Sequence, residues 1–169
     1  KGLEVIEACW LFDIAIKNID IVVHPQSIIH SMVEFVDGSI KAQLGKPTMT
    51  IPIHYALNYP KRTINDTSKF DFLNSPDLTF EKPDLNKFKC IKLAYQAFKS
   101  GDSYPIVLNV ANDLCVAAFL NDKIKFIDIA SYIEDALEVH NSCNINNIDA
   151  IFDTIQNTQN YIKNKIGNN

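Results

Sequence analysis

Regular periodicity is lost in the middle of this sequence. Between Pro60 and Pro83 the hydrophobic residues follow neither the spacing of a helix nor that of a strand. The segment instead carries three turn signals, Asn65-Asp66, Asn74-Ser75-Pro76-Asp77 and Lys82-Pro83-Asp84. Because a connection of this length is unusual inside one compact domain, it predicts a linker between two separate units.

The patterns on either side of this segment set the predicted boundaries. Residues 1–59 combine helical and strand-like spacing, and residues 86–169 have helical spacing throughout. Residues 60–85 form the predicted linker, which crosses a surface and is lightly anchored by Phe70, Phe72 and Phe80. The expected fold class is α+β, with a helix and a hairpin sheet first and a small helical bundle last.

The clearest local signal is Asp37-Gly38, the dipeptide that is favoured in tight hairpin turns. It separates two strand-like runs at residues 27–35 and 39–44. In the second run Ile40, Ala42 and Leu44 share one face, which predicts a half-buried antiparallel strand. A short strand at residues 21–24 is expected to stop at Pro25.

Helical spacing occurs before the hairpin and again after the linker. A first helix is predicted at about residues 2–17, and a short one at residues 51–59 with Pro52 in its first turn. Four further helices are predicted at Asn86–Phe98, Tyr104–Leu120, Ile127–His140 and Ile148–Ile166. Four helices with short connections are typical of a small bundle.

The composition excludes several classes of protein. Hydrophobic residues make up 47% and charged residues 21% of the chain, which is typical of a soluble globular protein and not of a disordered one. A net charge of -4 and a single arginine, Arg62, argue against a nucleic-acid-binding surface. No apolar run approaches the ~20 residues that a membrane span needs. The four cysteines have no zinc-finger spacing, and reduced thiols are expected.

Three charged residues share one face of the first predicted helix. Lys1, Glu4 and Glu7 are spaced three apart, and a lysine beside the free N–H groups of a helix start favours phosphate. Glu4 could hold a divalent ion such as Mg²⁺ or Mn²⁺, which prefers carboxylate oxygens. One carboxylate cannot hold such an ion, so other ligands would come from elsewhere. A solvated first turn, whose acidic residues suit the helix dipole, is the plainer interpretation.

The run from His24 to Val33 contains two histidines, an amide and two hydroxyls within an otherwise apolar segment. Burying so many polar groups costs free energy unless each is paired, so this cluster at a strand end suggests a site. An unbroken strand would place His24 and His30 on one face, although Pro25 is expected to break it. The alternatives are paired core histidines and, with less support from spacing, a zinc site that includes His54.

The segment from Gly45 to Met49 follows the second strand. It has one glycine and no Gly-Lys-Ser/Thr ending, which excludes a Walker-type phosphate loop. Pro47 and Met49 are expected to form an apolar wall. Met49 would cover a flat ring or simply fill the core.

Six motifs occur in order along the chain: Lys1-Gly2-Leu3-Glu4-Val5-Ile6-Glu7-Ala8, His24-Pro25-Gln26-Ser27-Ile28-Ile29-His30-Ser31-Met32-Val33, Asp37-Gly38-Ser39, Ala42-Gln43-Leu44-Gly45, Leu108-Asn109-Val110-Ala111-Asn112 and Ala117-Ala118-Phe119-Leu120. Together they closely resemble the 1-deoxy-D-xylulose 5-phosphate reductoisomerases. The gaps between the motifs are compatible with that family over nearly the whole chain, so the resemblance is more specific than any single motif.

The resemblance implies an activity. Enzymes of that family rearrange the carbon skeleton of deoxyxylulose 5-phosphate, and NADPH then reduces the resulting aldehyde. The product is 2-C-methyl-D-erythritol 4-phosphate, on the non-mevalonate route to isoprenoids. A Mg²⁺, Mn²⁺ or Co²⁺ ion chelates oxygens of the substrate.

The resemblance also implies roles for individual residues. By motif position, Glu4 would bind the metal and the substrate, and Lys1 would bind the substrate near its phosphate. His30 would line the active site and hydrogen-bond around the substrate, while Pro47 and Met49 would lie near the nicotinamide or the substrate backbone. Two further residues would support these side chains, Glu7 and His24.

By the same resemblance, the chain is the end of an α/β catalytic domain, a linker and a C-terminal helical bundle. The Gly-rich fingerprint of the NADPH-binding Rossmann domain is absent from this sequence, as is the segment with the other two metal carboxylates. The chain begins directly in a helical pattern at Lys1, which indicates an internal piece of a longer polypeptide. This piece alone is expected to be inactive.

The expected partners are a sugar phosphate, the rest of the same polypeptide and a second copy in a homodimer, with the hairpin region at its interface. Neither nucleic acid nor a membrane is expected. The asparagine- and lysine-rich composition resembles a plastid-type enzyme, such as that of an apicoplast, and a bacterial cytoplasm is the alternative. The competing hypothesis is a non-catalytic module for dimerisation or helical assembly.

Overall fold

The computed structural model describes residues 1–67 and 69–167. This part of the chain forms six α-helices and a two-stranded antiparallel sheet, so the fold is α+β, as predicted. The elements are α1 (Gly2–Phe12), β1 (Ile29–Glu34), β2 (Ile40–Leu44), α2 (Thr50–Asn58), α3 (Lys89–Ser100), α4 (Tyr104–Leu120), α5 (Asp128–Val139) and α6 (Ile148–Gly167). None of these helices is both long enough and apolar enough to cross a bilayer.

The chain divides into two compact units. The helical unit comprises Lys1–Ile21 together with the residues from Asp84 onward, and the hairpin unit comprises Val22–Pro83. This division differs from the predicted boundaries after residues 59 and 85. The first helix belongs with the bundle, because its apolar face packs there, and the predicted linker belongs with the hairpin.

The four predicted bundle helices are confirmed as α3 to α6, and α1 joins them. They enclose one apolar core, whose buried members are Ile6, Leu93, Ala94, Ala97, Val107, Leu108, Ala111, Cys115, Ile129, Tyr132, Ile133, Ala136 and Ile162. Cys115 is completely buried, and this burial raises the pKa of its thiol to about 11. It therefore behaves as a small hydrophobic residue.

Helix α1 approaches α3 so closely that a side chain at Gly2 would collide. A Cβ atom built on Gly2 would lie 2.5 Å from the Ala94 Cβ and 3.2 Å from the Cys90 carbonyl oxygen. The helix is also shorter than predicted, because Asp13 adopts a left-handed conformation (φ 52°) that ends it after Phe12. Farther on, the Tyr95 hydroxyl of α3 donates to the Ile19 carbonyl at 3.0 Å. The N-terminal segment is thus fixed to α3 at two points.

In the hairpin unit β1 and β2 pair around Asp37-Gly38, as predicted. Gly38 has a φ of 81°, and the Asp37 carboxylate accepts hydrogen bonds from the hydroxyl and the amide of Ser39, which lowers the pKa of Asp37. The expectation of a half-buried second strand is wrong, since Ile40 is 59% exposed and every residue of β2 is classed as exposed. Two strands alone enclose little apolar surface.

The described residues of the predicted linker form turns and extended chain, as expected. The Phe70 and Phe72 rings contact each other edge to face. The predicted strand at 21–24 is reduced to a single bridge, in which Val23 and Glu81 exchange two backbone hydrogen bonds of 2.9 Å. The far end of the linker is therefore attached to the chain just ahead of Pro25.

Candidate functional site

The residues that the sequence singles out fall into two groups. Lys1, Glu4 and Glu7 lie in the helical unit, at the start of α1. The others, His24, His30, Pro47 and Met49, lie in the hairpin unit. In each group, the helices, strands and turns of its own unit position the side chains.

The start of α1 presents an exposed ion pair. The Lys1 Nζ lies 2.5 Å from the Glu4 Oε2, and the two side chains are 66% and 57% exposed. Glu4 projects away from the buried face of the helix, which carries Val5, Ile6 and Cys9. Its carboxylate is a hard oxygen donor that is paired with an ammonium, and a cation could replace that ammonium.

No metal centre is complete within residues 1–67 and 69–167, since no three histidine, cysteine, aspartate or glutamate side chains converge there. The zinc site considered for His24, His30 and His54 is therefore not formed. The His54 Nε2 instead lies 3.3 Å from the Thr63 hydroxyl.

The polar run at His24 folds into a tight turn that leads into β1. The Ser27 amide donates to the His24 carbonyl at 3.0 Å, and Ser27 adopts a left-handed conformation with a φ of 52°. The next residue, Ile28, is buried, and its carbonyl accepts from the Gly45 amide at 3.0 Å. A non-glycine residue in this conformation costs free energy, and such residues are concentrated at functional sites.

His30 lies in a β-bulge. Ile29 pairs with Leu44 and Ser31 pairs with Gln43, so two residues of β1 advance against one residue of β2, and His30 is the extra residue. A bulge re-aims the side chain it contains and is frequent beside active sites. The turn and the bulge together remove the shared strand face that alternation alone would give to His24 and His30.

The bulge directs His30 toward the loop after β2. The His30 Cε1 lies 4.0 Å from the position that a Cβ atom on the buried Gly45 would occupy, and the Ile51 Cδ1 lies 3.4 Å from it. The hairpin unit thus brings His30 to the beginning of the segment that contains Pro47 and Met49.

Met49 does not fill a core. It is 69% exposed and forms one side of a cavity of about 420 Å³, whose other lining residues are Thr48, Thr50, Ile53, His54 and Leu57. Pro47 is also exposed. Met49 and Pro47 therefore lie on an open surface and not in a packed interior.

His24 has partners that sequence reasoning missed. Its Nδ1 lies 2.8 Å from the Thr79 carbonyl, and since a carbonyl only accepts, the Nδ1 carries the proton. Its ring stacks on Phe80 with centroids 4.8 Å apart, and its Nε2 is buried without a hydrogen-bond partner among the described residues. These contacts join residues more than 50 positions apart, so no local pattern announces them.

A second polar cluster, also missed, lies in the helical unit. The Ser103 hydroxyl is 2.6 Å from the His140 Nε2 and accepts from the Cys143 amide at 3.0 Å. Ser103 is fully buried, and burial lowers the pKa of His140 below its ordinary value of 6.5. Because this cluster ties the segment after α5 to the start of α4, it has an evident structural role.

Comparison with known proteins identifies relatives along the chain. The family described as "DXP reductoisomerase C-terminal domain" matches residues 44–161. A 1-deoxy-D-xylulose 5-phosphate reductoisomerase of Chloroherpeton thalassium is 52% identical over 165 residues, which cover 98% of this chain and 43% of the relative. One from a Thermoanaerobacter species is 54% identical over 167 residues, with the same coverage. The chain therefore spans less than half the length of these relatives.

Solved structures of the same enzyme have the same fold as this chain. A DOX-P reductoisomerase in complex with NADPH, fosmidomycin and magnesium is 39% identical with a TM-score of 0.93, over 98% of this chain and 43% of that one. The enzyme from Zymomonas mobilis in complex with NADPH is 41% identical with a TM-score of 0.90, over 98% and 44% of the two chains. By sequence and by fold, this chain belongs to the 1-deoxy-D-xylulose 5-phosphate reductoisomerase family.

Proposed function

We propose that this chain supplies the C-terminal part of an enzyme that converts 1-deoxy-D-xylulose 5-phosphate to 2-C-methyl-D-erythritol 4-phosphate with NADPH and a divalent cation. The observation that carries the proposal is the likeness of 98% of the chain to a reductoisomerase whose structure holds NADPH, fosmidomycin and magnesium. Because the chain covers 43% of that structure, the remaining polypeptide would provide the NADPH-binding domain and further metal ligands.

In this proposal the start of α1 binds the cation and the phosphate. Glu4 would hold Mg²⁺ or Mn²⁺, or alternatively Co²⁺, through a carboxylate oxygen, and such an ion would supply the charge that polarises oxygens of the substrate. Once Glu4 is bound to a divalent ion, it no longer needs Lys1 as its counter-charge. The Lys1 ammonium is then free to bind the substrate near its phosphate, and the adjacent helix N-terminus adds to the attraction. Glu7, one turn farther along the exposed side of α1, supports this arrangement.

The hairpin unit serves the same reaction with different groups. His30, re-aimed by the bulge, hydrogen-bonds around the substrate, and His24 supports the turn that precedes it. Pro47 and Met49 contact the nicotinamide or the substrate backbone, because an exposed thioether packs favourably against a flat ring. These roles are supported by the exposure of Met49 and by the approach of His30 to Gly45.

The test is Glu4→Gln in the full-length enzyme. The amide keeps the shape of the side chain but removes the negative charge that holds a divalent ion. We expect kcat/KM to fall about 100-fold or more, which corresponds to roughly 2.7 kcal/mol of lost transition-state stabilisation. Magnesium titration is expected to show weaker binding. The matched control is Glu138→Gln, which makes the same change at an exposed position on α5. Equal turnover of the Glu4 variant and the control would contradict the assignment of Glu4 as a metal ligand.

A complementary experiment uses the 169 residues alone. Since this chain lacks the Gly-rich dinucleotide fingerprint, we expect no tight binding of NADPH and no substrate-dependent oxidation of it. The measurement is the loss of NADPH absorbance with saturating substrate and Mg²⁺, with full-length enzyme as the positive control. Turnover by the short chain would show that the missing part is dispensable.

We also infer that the enzyme is a homodimer in which the sheet of the hairpin unit lies at the interface. Val33 and Ile40 are 57% and 59% exposed, and a two-stranded sheet with open edges is rarely stable alone. Val33→Asp is expected to shift the full-length enzyme toward monomer in sedimentation velocity. Val139→Asp, at a similarly exposed valine on α5, is the control. A dimer unchanged by the Val33 substitution would exclude this interface.

The plastid-type location remains a proposal that rests on the asparagine- and lysine-rich composition. The relatives described above are bacterial, and a bacterial cytoplasm is the alternative. The residues that precede Lys1 in the complete gene product decide between the two. A Ser- and Arg-rich, acidic-poor leader ahead of the NADPH-binding domain would indicate import into an organelle.

A further inference from the structure

We propose that Thr79, at the far end of the linker, is a positioning residue for the turn that presents His30, and that it acts through Gln26 and His24. The inference rests on the proposed function, because it assigns a linker residue to the reaction in which His30 takes part. It concerns only residues of the hairpin unit.

One residue of the linker satisfies both polar side chains that flank Pro25. The Thr79 amide donates to the Gln26 Oε1 at 3.2 Å, and the Gln26 Nε2 donates to the Thr79 hydroxyl at 2.8 Å. The Thr79 carbonyl accepts from the His24 Nδ1 at 2.8 Å. All three polar groups of Thr79 are thus used on the turn. We name these contacts the turn clamp.

The neighbours of Thr79 reinforce the turn clamp. Phe80 stacks on the His24 ring with an angle of 16° between the planes, and Glu81 exchanges two backbone hydrogen bonds with Val23. Residues 79–81 therefore run along residues 23–26 and contact the side chains of His24 and Gln26. This segment has no helix or strand, yet its contacts with the turn are regular, which indicates that the geometry of the turn is important.

The turn needs external support because its own conformation is unfavourable. Ser27 holds a φ of 52°, and a strained non-glycine residue persists only when the surrounding structure determines its conformation. After Ser27 the chain is fixed by the burial of Ile28 and by the bond from Gly45. Before Ser27 it is fixed by the turn clamp. A change in the clamp would therefore move the start of β1, where the bulge aims His30.

The clamp also sets the chemistry of His24. Since the Thr79 carbonyl holds the proton on Nδ1, neutral His24 keeps a free acceptor at Nε2, which is buried and unpartnered in the described chain. A fixed tautomer and ring plane are what a supporting histidine needs if it is to orient its neighbours. If His24 only stabilised the fold, it would not require an unpaired ring nitrogen.

The test compares Thr79→Val with Thr79→Ser in the full-length enzyme. Valine keeps the shape but removes the hydroxyl, whereas serine keeps the hydroxyl. We expect Thr79→Val to lower kcat and kcat/KM together by about 10-fold, within the usual range for residues that orient a site, and Thr79→Ser to remain within about twofold of wild type. Assays are run well below the thermal midpoint of each variant. A lowered midpoint with unchanged kcat/KM would show that the clamp only stabilises the fold, and it would overturn the proposal.

A double-mutant cycle with Gln26→Leu tests whether Thr79 acts through Gln26. If both side chains serve one interaction, the double variant will lose no more activity than Gln26→Leu alone. Losses that multiply would mean that the two residues act separately, which also overturns the proposal. For His24, asparagine places an amide N–H near the Nδ1 position, so His24→Asn is expected to retain more activity than His24→Leu.

Hydrogen exchange separates failure of this proposal from failure of the proposed function. In the full-length protein, the peptide that covers residues 24–30 is expected to exchange faster in Thr79→Val than in Thr79→Ser or wild type. Equal exchange in all three would overturn the clamp, whatever the activity. Absence of turnover in the unmodified enzyme would instead overturn the reductoisomerase assignment, and with it any catalytic purpose for the clamp.

Discussion

The hydroxyl of Ser103 makes two hydrogen bonds although the residue is completely buried. It accepts from the Cys143 amide, and it donates to the His140 Nε2 in the neutral tautomer that carries the proton on Nδ1, the one that pairs the buried hydroxyl proton. Tyr104 packs edge-on against the same imidazole, and its hydroxyl donates to the His140 carbonyl at 3.3 Å. The whole arrangement is satisfied only while His140 is neutral.

This arrangement predicts that the chain loses stability on mild acidification. Burial lowers the pKa of folded His140 below 6.5, so the unfolded state binds the proton more readily. The contribution of neutral His140 to the unfolding free energy is complete above pH 6.5, and it is lost as the pH falls from there through the lowered pKa of folded His140. Protonation also leaves the Ser103 proton without an acceptor. Urea unfolding at about pH 7.5 and about pH 5.5 would measure this loss of unfolding free energy. The two values lie roughly one pH unit above and below the ordinary pKa of histidine.

The control is His140→Gln, whose amide oxygen offers an acceptor near the Nε2 position but does not titrate. We expect the variant to show a smaller difference in unfolding free energy between the two pH values. Two carboxylates near this segment are Asp102, which accepts from the Ser142 hydroxyl, and Asp153, which lines the adjacent cavity, and both remain in the variant. A pH dependence equal to that of wild type would assign the effect to these or other groups.

At the level of single residues, sequence reasoning found groups with a local signature and missed those with distant partners. His30 was singled out because polar residues interrupt an apolar run, and the structure gives it a bulge. Thr79 and Ser103 look ordinary in the sequence, since their partners lie 53 and 37 positions away. A hydrogen bond over such a separation depends on the tertiary fold, which spacing alone does not encode.

At the level of elements, helices with a clear apolar stripe were predicted well. Helix α4 has the predicted bounds, and its buried face carries Val107, Leu108, Ala111, Cys115 and Ala118. The hairpin was found because Asp-Gly is a strong turn signal. The end of α1 was missed, since Asp13 stops the helix by its left-handed backbone while the apolar pattern continues. The bulge was missed because it depends on the register between two strands.

Helix α1 provides a prediction at this level. Gly2→Ala should destabilise the chain by about 1–3 kcal/mol, since the new methyl group would overlap the Ala94 Cβ and push α1 away from α3. This sign is opposite to that of helix propensity, which favours alanine over glycine by about 1 kcal/mol. Denaturant unfolding measures the change.

Gly167→Ala is the matched control for the Gly2 substitution. Gly167 is also helical, but a Cβ atom there would meet nothing within 4 Å among residues 1–67 and 69–167. It should be neutral or slightly stabilising. If both substitutions had the same effect on the unfolding free energy, the close packing of α1 on α3 would not be energetically important.

At the level of the whole molecule, the sequence predicted two units and placed α1 with the hairpin, whereas α1 packs in the helical unit of this structure. An apolar stripe shows that a helix buries one face, but it does not show which other element covers that face. Here α3 covers the apolar face of α1, and α3 follows the complete hairpin unit in the sequence. The resemblance to a known family identified the chain without this information, because motif order is independent of which helices touch.

The discontinuous helical unit makes a testable prediction for proteolysis. Lys61 and Arg62 are exposed in a stretch without helix or strand, so trypsin should cut there early. The two products should remain together through size-exclusion chromatography in native buffer, because α1 on the first packs against α3 on the second. They should separate in denaturant. Fragments that part under native conditions would contradict the division into these units.

The route of the chain through the helical unit also affects the order of folding. The chain leaves this unit after Ile21 and returns at Asp84. The packing of α1 against α3 therefore closes a loop that contains the entire hairpin unit. Contacts across such a loop form later than those between neighbouring helices, since their closure entropy is larger. On the ribosome α1 must also wait until α3 has been synthesised. The helix that carries Lys1 and Glu4 therefore docks on α3 only after the whole hairpin unit has been synthesised.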